Sequence, residues 1–106
     1  MNLDVRCTFA GTDAVVAVAG EVDVSNADIL REAVDEALAA GGSVAVDMAA
    51  VPYIDSTGIG VLVGASHRAD EAGQSFCLTG AQDNVVRILG MLGVDAVIDI
   101  VPAAGK

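Results

Sequence analysis

Tryptophan is absent from this chain, and two Phe and one Tyr are its only aromatic residues. With 54% hydrophobic residues, the core has to be assembled from Val, Ile, Leu and Ala. Binding of single-stranded nucleic acid by stacking needs aromatic faces beside Lys or Arg. Basic residues are scarce too: five stand against fifteen acids, a net charge of −10. Such a surface repels nucleic acid and no basic cluster offsets it, so no nucleic-acid partner is expected. Long apolar runs are also missing. Residues 14–19 and 59–65 are the longest, far short of the ~20 residues a membrane-spanning helix requires. No basic start precedes an apolar stretch, which argues against a secretory signal. The expectation is a soluble, cytoplasmic protein with no membrane partner.

Two cysteines make no disulfide framework. Cys7 and Cys77 sit inside β-type runs and are expected to be buried as small hydrophobes. The one histidine, His67, cannot build a metal site alone, and Ser66, Arg68, Asp70 and Glu71 around it suit an exposed helix end. Neither a metal nor a cofactor is expected. The one lysine is Lys106, the final residue. A phosphate loop of the Walker type and a phosphoaspartate site built on Asp47 both need a lysine nearby, so both readings fail. Gly58, Gly60 and Gly64 are spaced G-x-G-x-x-x-G and follow a loop containing Pro52. A dinucleotide fingerprint needs G-x-G-x-x-G directly after a strand. Packing of Gly60 and Gly64 on one helix face against neighbouring elements is the better reading.

At 106 residues the chain is long enough for one domain, taken as 1–106 with a core of about 3–101 and a polar C-terminal tail. Residues 3–9 alternate apolar and polar, residues 11–13 form a turn, and residues 15–19 are strand-like, which predicts a hairpin. Ser25 with Asp28 three positions on resembles a capping box and predicts a helix start, with Gly41 and Gly42 as its stop. Leu30, Val34, Ala37 and Leu38 share one face of that helix; Asp28, Glu32 and Asp35 share another. Residues 43–48 read as a strand in the sheet interior. A second helix is expected over about 57–72, ended by Gly73, and a strand over 76–78. A third helix over 82–92 places Val85, Ile88, Leu89 and Leu92 inward, and residues 96–101 form a last strand. Strands alternating with helices predict an α/β domain with a mostly parallel sheet and one antiparallel hairpin partner.

The stretch VPYIDSTGIGVLVG, residues 51–64, carries the chemistry. Pro52 biases Val51 away from helical angles, and the apolar run after Ser56 suits a partly buried helix. Asp55, Ser56 and Thr57 therefore stand where a helix begins, where side-chain oxygens can accept from free backbone amides. A helix start also tolerates extra negative charge. Ser56 is no self-activated nucleophile, because it lacks a G-x-S-x-G elbow and His67 lies far along the same element. Ser56 is either a helix cap or a modification site that another protein must act upon. Taken alone, the residues favour the cap.

The motif DSTGIGV, residues 55–61, and the motif AGEVDV, residues 19–24, together resemble the bacterial anti-sigma factor antagonists of the STAS domain family. The resemblance runs over roughly residues 3–101. It implies a STAS-like fold: a mixed, mostly parallel sheet with an N-terminal antiparallel hairpin, packed with about three main helices. It also implies a protein-binding module that is not an enzyme. The unphosphorylated form would bind an anti-sigma factor that is also a serine kinase, releasing a sigma factor. Phosphorylation would end that binding, and a PP2C-like phosphatase would reset it. Ser56, directly after the motif acid, falls on the family's phosphoacceptor, with Thr57 as the secondary candidate. Asp23, Ser25, Asp28, Asp55, Ser56, Thr57 and Gly58 are the expected partner-binding residues. The alternative is a STAS scaffold or sensor module that binds a protein assembly or small ligand without phosphocontrol.

Overall fold

Val16, Val46 and Leu78 lie side by side on three neighbouring strands, and none of the three is accessible to solvent. The computed structural model that shows this describes residues 3–102. The element order is β1 (Asp4–Ala10), β2 (Asp13–Ala19), α1 (Ala27–Ala39), β3 (Val44–Ala50), α2 (Ser56–Glu71), β4 (Phe76–Ala81), α3 (Asp83–Met91) and β5 (Asp99–Pro102), with a short 3-10 helix, Val94–Ala96, before β5. The polar tail expected beyond residue 101 lies, from residue 103 on, outside the described residues, and Lys106 with it.

The expected hairpin is present as β1 paired antiparallel with β2. The next three pairings are parallel, and the five strands lie in sequence order. Parallel neighbours need crossovers, and right-handed crossovers that always step the same way lay their helices on one face of the sheet. The burial pattern agrees. Ala14, Val16 and Val18 of β2, Val44, Val46 and Met48 of β3, and Phe76 and Leu78 of β4 are buried. Each of the larger side chains among these contributes about 1.5–3 kcal/mol by leaving water. On the other face, Ala17, Asp47, Thr79 and Val101 form a row that is exposed or half-buried. The β3 segment read as sheet interior is therefore covered on one side only.

The α1 stripe is as expected: Leu30, Val34 and Ala37 are buried, while Asp28, Glu32 and Asp35 are exposed. Gly41 and Gly73 follow the first two helices with positive φ of 92° and 72°, a backbone state that favours glycine. Arg68 of α2 pairs with Asp35 of α1. Both side chains are half-exposed, so the pair orients the helices more than it stabilises them.

Several expectations need correction. The first helix starts at Ala27, not Ser25. Leu92 lies past the end of α3 and is 59% exposed, because the helix stops at Met91 before another inward turn is completed. Ala96 belongs to the 3-10 turn, which shortens the last strand to Asp99–Pro102. Cys7 and Cys77 are free and only half-buried. Cys7 donates its thiol to the Ala33 carbonyl at 3.2 Å. Partial burial raises both thiol pKa values, with Glu36 adding to the effect at Cys7 and Asp99 at Cys77. Both are therefore poor thiolate nucleophiles at neutral pH.

Candidate functional site

The segments after β2 and β3 leave the carboxyl ends of two adjacent parallel strands, so they emerge on the same edge of the sheet. Backbone bonds then join them. Gly20 N–H donates to the Ala50 carbonyl at 3.0 Å, Val22 N–H to the Tyr53 carbonyl at 3.0 Å, and Asp55 N–H to the Val22 carbonyl at 3.0 Å. Val22 and Ile54 form a parallel bridge beyond the strands proper, and both side chains are buried. The two segments carrying the sequence motifs thus form one surface.

Asp55 is the N-cap of α2 and has extended backbone angles, φ −96° and ψ −179°. Its Oδ1 accepts the Gly58 N–H at 3.1 Å, the usual reward for an acid at this position. Its Oδ2 accepts the Val24 N–H, 31 residues away, at 3.2 Å. Ser56 is therefore the first residue inside the helix, and the cap function open to it in the sequence belongs to Asp55. Ser56 and Thr57 are both exposed.

The segment before α1 is arranged differently from the expected capping box. Asp23 Oδ1 accepts from both the Ser25 N–H, at 2.9 Å, and the Ser25 hydroxyl. Asn26 Oδ1 accepts the Asp23 N–H at 2.9 Å, and Asn26 Nδ2 donates to the Glu21 carbonyl at 2.9 Å. Ser25 donates its hydroxyl to Asp23 within the turn and accepts no helix amide, a local pairing open to Ser and Asp wherever they stand together. Asn26 occupies the cap position without making a side-chain cap bond. It is the organising residue that sequence reasoning missed. Its only signal was an Asn three positions after Asp23, in a segment rich in turn-forming residues.

Gly58 was expected among the partner-binding residues, and it is buried beneath the exposed Ser56 and Thr57. A Cβ there would lie 2.6 Å from Val22 Cγ1 and 2.8 Å from Ile54 Cγ1. Gly60 and Gly64, read from sequence as packing glycines, have room: a Cβ on Gly60 meets nothing within 4 Å, and one on Gly64 only the Arg68 side chain at 3.7 Å. Close approach is needed one turn earlier, where the helix start crosses the Val22–Ile54 bridge.

On the other flank, Gln82 Nε2 donates to the Ala49 carbonyl at 2.9 Å and Asn84 Nδ2 to the Pro52 carbonyl at 2.8 Å, so the start of α3 holds the same loop. Among the described residues the one ion pair is Arg68–Asp35. Asp23, Asp28 and Asp55 thus have no cationic partner there. Hydrogen bonds from the Ser25 hydroxyl and then the Ser25 amide hold the Asp23 carboxyl below the ordinary aspartate value. His67 lies on α2 eleven residues after Ser56, about 16 Å along a rigid helix by its rise. A cavity of about 760 Å³ forms an acid-flanked groove beside the last turns of α2, lined by Ser66, His67, Asp70 and Asp99 among others and by no residue of the Ser56 loop. No group of three or more His, Cys, Asp or Glu among the described residues could hold a metal ion, and no helix there is long and apolar enough to cross a membrane.

A family model described as "STAS domain" matches residues 5–105. The chain is 33% identical over 100 residues to the anti-sigma-B factor antagonist of Bacillus subtilis, covering 94% of this chain and 92% of that protein. Among solved structures, an anti-sigma factor antagonist from Mycobacterium paratuberculosis superposes with a TM-score of 0.80 at 22% identity, covering 97% of this chain and 88% of that one. The Bacillus anti-sigma factor antagonist SpoIIAA has been solved in an unphosphorylated form (TM-score 0.76, 14% identity, 92% and 87% covered) and a phosphorylated form (TM-score 0.72, 14% identity, 92% and 90% covered). At such low identity the solved structures speak for the fold alone.

Two outcomes follow from this geometry. Gly58→Ala should lower stability by about 1–3 kcal/mol, because the stiff side chains of Val22 and Ile54 must move. Gly60→Ala should raise it by about 0.5–1 kcal/mol through lower chain entropy. Urea unfolding of both variants checks the pair, and equal effects would refute the packing assignment. Second, the Asp23 carboxyl should titrate, by carbon-detected NMR, below 3.8. A depressed folded pKa stabilises the fold above the unfolded value, and that contribution is lost as pH falls through the folded one.

Proposed function

We propose that this chain, which belongs to the STAS domain family, is an anti-sigma factor antagonist switched by phosphorylation of Ser56. In this reading the unphosphorylated form binds an anti-sigma factor that is also a serine kinase, and a sigma factor is released. The kinase transfers the γ-phosphoryl group of ATP to the Ser56 oxygen, the complex separates, and a PP2C-like phosphatase hydrolyses the ester. Thr57 is the secondary acceptor. The observation that carries the reading is the placement of Ser56: exposed, at the first helical position, relieved of capping by Asp55, and joined to the Asp23 segment through the Val22–Ile54 bridge. The names of the relatives, and the existence of SpoIIAA in both phosphorylation states, support it from outside.

The chemistry is consistent with a switch supplied from elsewhere. His67, the chain's one histidine, is too far along α2 to serve as a base for Ser56, so base and phosphoryl donor must come from the partner. Asp23, Ser25, Asp28, Asp55, Ser56 and Thr57 form the proposed contact surface, with Gly58 shaping it from below. Carboxylates with no cationic partner among the described residues favour a partner face rich in Arg or Lys, which speeds association and makes it salt-sensitive. A phosphate adds about −1.5 to −2 charge in the middle of a surface that binding must desolvate.

With the anti-sigma kinase and ATP, the wild-type chain should take up phosphate at Ser56 and lose binding. Ser56→Ala should bind and stay bound, and it should melt close to wild type because no cap is lost. Phosphopeptides that place the modification elsewhere, with Ser56→Ala still modified normally, would overturn the assignment. Charge reversal tests the surface. Asp28→Lys, at an exposed site that holds no loop together, should slow association and flatten its salt dependence. Glu71→Lys, at the far end of α2, changes net charge equally and should do little. Equal losses would mean that overall acidity, not this patch, attracts the partner.

A further inference from the structure

The loop between β2 and α1 is held by side chains and not by a ladder. Three successive amides donate to three different side-chain oxygens: Asp23 N–H to Asn26 Oδ1, Val24 N–H to Asp55 Oδ2, and Ser25 N–H to Asp23 Oδ1. Two of these bonds are local. The middle one comes from the opposite loop, and it fixes Val24, a residue that is 74% exposed. A solitary exposed valine is ordinary. One whose backbone is tied to the residue preceding Ser56 is held in a set place beside it.

The carboxylate making that tie is also the cap of α2, with one oxygen for each task. We propose, on the strength of the functional reading above, that Asp55 is the positioning residue of the docking surface. It locks the Val24 loop to the start of α2, so the two halves of the surface meet the partner already assembled. Pre-assembly matters because a loop that must be ordered on binding subtracts its ordering entropy from affinity. The bridge between Val22 and Ile54 aligns the two segments up to residue 22, and among the described residues the Asp55 tie is the one hydrogen bond from residues 23–26 to the other loop.

Asp55→Ser separates the two tasks. A serine at the N-cap still accepts from Gly58, but its single short oxygen cannot serve Val24 as well. Asp55→Asn is the second variant, since its one carbonyl oxygen replaces two carboxylate acceptors. The measurement pairs amide hydrogen exchange on the free protein with binding to the immobilised anti-sigma kinase of the same host. In Asp55→Ser Val24 should exchange about tenfold faster, as expected for loss of a bond to a charged acceptor, and in Asp55→Asn either Val24 or Gly58 should, because one oxygen cannot serve both. In Asp55→Ser the Gly58 amide and the melting temperature should stay near wild type, while binding weakens about tenfold. Unchanged Val24 exchange in Asp55→Ser overturns the inference. So does full binding affinity despite a released Val24 loop. A wild-type chain that binds no anti-sigma kinase overturns the functional reading, and this inference with it.

Discussion

Everything at the candidate site depends on the parallel bridge between Val22 and Ile54. Two backbone hydrogen bonds carry it: Val22 to the Tyr53 carbonyl and Asp55 to the Val22 carbonyl. They extend the β2–β3 pairing past the end of the sheet and bring two segments, about thirty residues apart in sequence, onto one surface. Gly58 follows from the bridge, because the start of α2 must cross Val22 and Ile54 with no room for a Cβ. The position of Asp55 follows as well: the same crossing puts its carboxylate within reach of both its own helix and the Val24 amide.

A fold with this arrangement suits a switch that changes charge and leaves the backbone in place. The start of α2 offers free amides and a favourable dipole to an added anion. Asp55 repels that anion, but near the surface water and salt weaken the repulsion. In the proposed cycle, phosphorylation therefore acts on the partner's affinity, through an unpaired charge at the contact, and asks no refolding of the domain.

Elements governed by periodicity were legible in the sequence. The alternation of residues 3–9 marked β1, the apolar stripe of Leu30, Val34 and Ala37 marked the inner face of α1, and Gly73 marked the end of α2. Features decided by competition between polar groups were not. Ser25 and Asp28 matched a capping box, yet Ser25 pairs with Asp23 inside the turn and the cap position falls one residue later, at Asn26. Ser56 and Asp55 were both plausible caps, and only backbone geometry assigned the task to Asp55. The roles of the three glycines could not be separated by spacing, because which face of α2 meets the bridge depends on the crossing of two distant segments. That both motifs share one surface follows from the habit of parallel sheets to gather their carboxyl-end loops. The tie between Asp55 and Val24 was invisible, since nothing local to either residue announces it.

The central claim is that the two loops act as one docking surface. The hydrogen-exchange footprint of the complex with the proposed anti-sigma kinase tests it most directly. Amides of residues 22–28 and 53–59 should gain protection together, while Arg6 and Thr8, on the uncovered face of the sheet, keep their free-protein rates. Protection confined to one of the two segments, or centred on the uncovered face, would contradict the account.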